Sequence, residues 1–188
     1  MPASFQEQTD VSCAVLQSLV RETTVIEQIA RLVCDTVLDG RVLLTCGNGG
    51  SATDANHLAE ELVARYRANR RALPAIALTA DSSVLTCISN DFGFEHVFSR
   101  QIEALARPGD VVLCFSTSGN SPNIVAALQA AKARGAATIA LLGKDGGAAR
   151  DMADLELIVD CQDTARIQEA HLQVLHYICE VVERAVVE

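Results

Sequence analysis

The sequence is poor in aromatic side chains, which make up 4% of its 188 residues, and tryptophan is absent. Small aliphatic residues must then fill the interior, as suits helices packed closely on a buried parallel sheet. Basic residues are scarce as well, 15 against 24 acidic ones, leaving a formal charge of −9. That balance argues against non-specific binding to nucleic acid or to an anionic membrane surface. No apolar run reaches the ~18 residues that a membrane helix requires. The start of the chain (Pro2-Ala3-Ser4-Phe5-Gln6-Glu7) has no basic-then-apolar leader. The seven cysteines form no C-x-x-C pair and most fall in apolar runs. They are expected as buried free thiols, which places the protein in a reducing cytoplasm. Neither a Walker A sequence nor a G-x-G-x-x-G fingerprint occurs, so no nucleotide or redox cofactor is expected.

What is there alternates regularly. Apolar strand-like runs fall near 41–46, 74–79, 111–116, 137–142 and 155–160, separated by helical patterns near 52–67, 82–89, 94–106, 122–133 and 164–187. Residues 4–38 read as helix in two segments, the second carrying Val25, Ile26, Ile29, Leu32, Val33 and Val37 on one stripe, with Asp39-Gly40 as its stop. This pattern predicts an α/β domain with a five-stranded parallel sheet, helices on both faces and an N-terminal helical extension. The expected division is 1–40 as a helical segment for packing or an oligomer interface, and 41–188 as the sheet domain. The length gives one domain, and no linker or low-complexity tract interrupts it.

Two strand ends carry the chemistry. The first strand runs into Cys46-Gly47-Asn48-Gly49-Gly50-Ser51, a turn that opens a helix. Its glycines let the backbone approach a ligand, and the unpaired N–H groups at the helix start suit an anion, most often a phosphate. The third strand ends in Ser116-Thr117-Ser118-Gly119-Asn120-Ser121-Pro122, where proline fits the first helical position and makes Ser121 the N-cap. Ser116, Thr117, Ser118 and Ser121 can converge on one phosphate without any cationic side chain. A further glycine-containing loop, Gly143-Lys144-Asp145-Gly146-Gly147, falls at the same sheet edge and reads as a plain turn.

One turn into the first of these helices, His57 and Glu61 stand four residues apart and share a face. In the last helix Gln168 and His176 are eight residues apart, about 12 Å along the axis. Two imidazoles, a carboxylate and an amide oxygen can ligate a divalent metal or act as an acid–base set. For Gln168 and His176 to act together, both side chains must reach toward each other or the groups must come from more than one subunit. A histidine on an apolar helix face is also commonly a core residue, and His176 has that alternative.

The Ser-Thr-Ser-Gly-Asn-Ser loop resembles the phosphosugar loop of SIS (sugar isomerase) domains. The Cys-Gly-Asn-Gly-Gly-Ser run, Asp54-Ala55, His57, Ala59-Glu60-Glu61-Leu62, Ser89-Asn90-Asp91-Phe92-Gly93-Phe94 and Arg166-Ile167-Gln168-Glu169 together resemble phosphoheptose isomerases, over about residues 41–180. That resemblance implies a single SIS domain that interconverts sedoheptulose 7-phosphate and D-glycero-D-manno-heptose 7-phosphate, the first step of ADP/GDP-heptose precursor synthesis. It implies Glu61 and His176 as the acid–base pair, and His57, Glu61, Gln168 and His176 as ligands of one divalent metal per subunit, zinc above others. Ser116, Thr117, Ser118 and Ser121 would hold the phosphate. Asn48, Gly49, Gly50, Ser51, Asn90 and Asp91 would line the sugar, with Glu61 and Gln168 also in contact with it. A homotetramer with active sites near subunit boundaries is implied too. The alternative is a non-catalytic SIS protein that binds the bacterial replication initiator. Such proteins share the glycine loop and the Arg-Ile-Gln-Glu run but lack the pair at Glu61 and His176, both of which are present.

Overall fold

The structure is a computed structural model that describes residues 4–187. Five parallel strands, β1 (Leu43–Gly47), β2 (Ala75–Ala77), β3 (Val111–Ser116), β4 (Ala137–Gly143) and β5 (Leu155–Val159), form one sheet in the order β2-β1-β3-β4-β5. Cys46 lies opposite Cys114 and Gly47 opposite Phe115, which sets the ends of β1 and β3 side by side. The chain leaves β1 toward β2 on one side and enters β3 on the other. Beyond the carboxyl ends of these two strands is the crevice where open parallel sheets take their ligands.

Alternate residues of each central strand feed different cores. Leu43, Leu113, Phe115, Ile139 and Leu141 pack under α2 (Thr23–Leu38), α3 (Gly50–Val63) and α7 (Thr164–Val187). Leu44, Val112, Cys114, Ala140 and Leu142 pack under α4 (Ser82–Phe92), α5 (Ser99–Leu105) and α6 (Pro122–Ala133). The expected parallel sheet covered on both faces is thus found. The stripe read in α2 holds as well: Ile29, Val33 and Val37 are fully buried, with Val25, Ile26 and Leu32 at the margin. By contrast α1 (Phe5–Ser18) buries no residue. A capping box between Ser4 and Glu7 starts it. It is tied to the body by Arg166, whose guanidinium donates to the Gln8 carbonyl and the Ser12 hydroxyl.

Several element ends differ from the sequence pattern. The helix expected to reach residue 67 stops at Val63, because Ala64 leaves helical geometry with ψ −95°. The Arg70 guanidinium collects the carbonyls of Glu61 and Leu62 at 2.6 and 2.7 Å, and Glu183 accepts the N–H groups of Arg67 and Ala68. The second strand is three residues long rather than six. The helix expected over 94–106 is a 3₁₀ turn at Phe94–His96 followed, after Val97 and Phe98, by α5.

Candidate active site

The β1–α3 loop and the β3–α6 loop close on one small pocket, of about 60 Å³, lined by Asn48, Ser51, Phe115, Ser116, Thr117, Ser118 and Ser121. The two loops read as separate anion cradles therefore make a single one. None of the lining residues is basic. Gly49 caps α3 at φ +57°, a conformation that glycine adopts without penalty. Ser121 is the N-cap of α6 with Pro122 at the first helical position, as the sequence predicts, yet its hydroxyl makes no capping bond. Ser116 and Ser118 are partly committed: their hydroxyls accept the N–H groups of Gly119 and Asn120 at 3.1 and 3.2 Å.

The loop after β4, read as a plain turn, braces this cradle. Ala149 donates its N–H to the Gly119 carbonyl at 2.9 Å, and Ala148 donates to Asn120 Oδ1 at 3.0 Å. The approach is so close that a Cβ on Gly119 would collide with the Gly146 carbonyl, and one on Gly147 with the Ser118 carbonyl. Such backbone-on-backbone packing carries no signal in residue type beyond the glycines themselves.

The helices α3 and α7 lie on the same face of the sheet and run in the same direction. Gln168 packs against Gly50 at the start of the pair, and two turns on His176 meets His57, their rings 5.2 Å apart and nearly perpendicular. His57 Nε2 and Glu61 Oε1 are 3.2 Å apart. His57, Glu61 and His176 are thereby brought together on two helices. The Gln168 side chain lies against Gly50, at the start of the same helix pair. Asn90 and Asp91 are exposed near the end of α4, bonded to each other at 2.7 Å, and neither lines the small pocket.

Burial and charge set the proton affinities here. Partial burial, His57 and Arg67 lower the pKa of His176 against the opposing pull of Glu61. The Tyr66 ring lies 5.9 Å from that of His176. Asp54, one turn before His57, has its carboxyl pushed up to about 6 by burial, partly offset by His57, and its Oδ2 is buried without a hydrogen bond. The core histidine of α7 is His171, not His176: it is fully buried, shares a 3.0 Å hydrogen bond with the Leu142 carbonyl, and burial lowers its pKa to about 4.

The donor set suits a divalent cation. One ligand atom each from His57, Glu60 and Glu61 lies within 4.8 Å of the others, and the His176 ring lies 5.2 Å from that of His57. Two imidazoles with one or two carboxylates are ordinary zinc-type ligands.

The SIS domain family model matches residues 9–143. The phosphoheptose isomerase of Citrifermentans bemidjiense is 51% identical over 185 residues, covering 98% of this chain and 96% of that protein. That of Geobacter sulfurreducens is 53% identical over 171 residues, 90% of each. Among solved structures, phosphoheptose isomerase GmhA from Neisseria gonorrhoeae superposes with a TM-score of 0.86 at 40% identity, covering 96% of this chain and all of that one. The Francisella tularensis phosphoheptose isomerase gives 0.88 at 32%, with 97% and 99% covered. With a hydroxyl-lined pocket at the strand crossover, His57, Glu61 and His176 grouped on α3 and α7, and relatives matched over nearly their full length, the chain belongs to the phosphoheptose isomerase family of SIS-domain proteins.

Proposed function

We propose that the protein interconverts sedoheptulose 7-phosphate and D-glycero-D-manno-heptose 7-phosphate. The observation that carries this is the convergence of His57, Glu61 and His176 on adjacent helices, one of which begins at the hydroxyl-lined pocket. A sugar anchored there by its phosphate lies with its carbonyl end toward the ionisable groups. The Glu61 carboxylate takes the proton from C1 of the ketose while His176 gives one to the carbonyl oxygen at C2, which forms the enediol. His176 then takes the proton from the oxygen on C1, and Glu61 returns one to C2. An imidazole can both give and take a proton near neutrality, and the lowered pKa of His176 favours its neutral, proton-accepting form. The presence of this pair, together with the full-length likeness to relatives named phosphoheptose isomerase, favours the enzyme over a non-catalytic initiator-binding protein.

His57, Glu61, Gln168 and His176 would hold a divalent ion of the zinc type. Such an ion supplies Lewis acidity that polarises a carbonyl and offsets negative charge on its oxygen. A homotetramer is the proposed assembly, supported by an apolar groove along α2 and α7 (Leu16, Leu19, Val20, Ile26, Val174, Tyr177). Cysteines without disulfides support a cytoplasmic setting. Among the described residues no helix is long and apolar enough to cross a membrane.

The test is direct. Purified protein is incubated with sedoheptulose 7-phosphate and the aldose followed by NMR; a substrate that stays unchanged, with or without added zinc, overturns the assignment. Light scattering on the same sample reads the assembly.

A further inference from the structure

Asn123 is the second residue of α6, 2% exposed, and it plays no part in the chemistry above. Its side-chain amide faces that of Asn48 across 75 residues of sequence. Asn48 Nδ2 donates to Asn123 Oδ1 at 2.8 Å and Asn123 Nδ2 donates to Asn48 Oδ1 at 2.9 Å. Two primary amides joined this way form a closed ring that fixes both planes and leaves each one N–H and one lone pair to spare. Asn48 also lines the small pocket, and its carbonyl accepts the Ser51 N–H at 3.1 Å as α3 begins. The ring therefore ties the helix that carries His57 and Glu61 to the helix whose N-terminus faces the phosphate pocket.

We infer that Asn123 is a positioning residue for the isomerisation: its reciprocal amide pair with Asn48 sets the register between the phosphate-holding end of the site and the acid–base end. This rests on the proposed function. A loop free to shift by about 1 Å would leave the phosphate bound but carry the reacting carbons out of line, a misplacement that can cost on the order of 10²-fold in rate. Buried amides must also be satisfied, so leucine at position 123 strands the Asn48 amide. Aspartate at the same position is more informative. Ionised, its carboxylate accepts one bond from Asn48 Nδ2 and opposes Asn48 Oδ1. Protonated, it restores the ring, donating O–H to Asn48 Oδ1 and accepting from Nδ2.

The experiment measures wild type, N123L and N123D with sedoheptulose 7-phosphate across pH, together with inhibition by inorganic phosphate and the melting temperature of each. N123L is expected to lose roughly 10- to 100-fold in kcat per folded enzyme, with the inhibition constant of phosphate within about twofold of wild type. Burial at this 2%-exposed position raises the carboxyl pKa of N123D toward the assay range, so its rate relative to wild type is expected to rise by roughly tenfold as pH falls from about 8 to about 5.5. N123L, being uncharged, keeps a constant ratio. Should N123L not fold, N123S takes its place with the same expectation. Wild-type kcat in the folded variants, or a flat N123D ratio, overturns the positioning role and leaves the enzyme assignment standing. An equal loss of phosphate binding overturns it too, by placing Asn123 in the pocket itself. A wild type inert toward the heptose phosphate overturns the assignment and the positioning role with it.

Discussion

Glu61 and His176 stand on different helices yet lie close enough for Glu61 to act on the His176 charge, as the proposed proton transfer requires. Replacing Glu61 with glutamine keeps the shape and removes the titrating group, so kcat is expected to fall by about 10²–10⁴ with the melting temperature nearly unchanged. His176→Gln should act alike, and the double variant should lose little more than either single one, because both serve one cycle. Full activity in a folded Glu61→Gln protein sinks the mechanism. The serines of the cradle separate as well. Ser121→Ala should raise KM without touching stability, since that hydroxyl caps nothing, whereas Ser116→Ala also loosens the turn at Gly119. His171 answers to pH rather than to substrate. The unfolded chain binds its proton from about pH 6.5 downward, whereas the folded protein resists until about 4. Stability should thus fall as pH drops through that window, by an amount on the order of 3 kcal/mol. Denaturant unfolding at pH 7 and near 4.5 checks this, with His171→Gln expected to flatten the difference.

Among the elements, α3 decides most, because it starts at one end of the site and carries the chemistry at the other. Its glycine at position 50 faces only the tip of Gln168. Gly50→Ala should therefore leave the melting temperature within about a degree or raise it, given alanine's better helix propensity, while displacing Gln168 and altering KM. Gly119→Ala is the opposite case. It combines φ +63° with a collision against the Gly146 carbonyl, and a loss of more than about 1–2 kcal/mol is expected. Both strand-end loops, the His57–Glu61 face and the buried stripe of α2 (Ile29, Val33, Val37) were legible from residue type and period alone. The end of α3 was not, since Arg70 and Glu183 act on it from distant sequence. Nor was the partnership of Asn48 with Asn123, or the division of α7's histidines between core and site: adjacent helical faces differ by one position, and only the neighbour in space tells them apart. Gln168 was legible only as a distance along the helix; its packing against Gly50 was not.

At the scale of the whole molecule, two cores share one sheet through alternating residues of β1, β3 and β4. They are expected to melt together. Leu128→Ala, on the α6 side, should cost about 2–5 kcal/mol and shift one single transition rather than reveal a second. Coincidence of far-ultraviolet circular dichroism and tyrosine fluorescence curves checks it. The cradle without a cation has a consequence for encounter. A phosphate dianion approaching a body of charge −9 meets repulsion at long range, and no arginine or lysine lines the pocket to reverse it at short range. Capture should then quicken, not slow, as salt is raised from about 10 mM to about 150 mM and the Debye length shrinks from ~30 Å to ~8 Å. An ionic-strength series of kcat/KM reads the sign of that dependence. A site built this way waits for its substrate in a concentrated, screened medium instead of drawing it in.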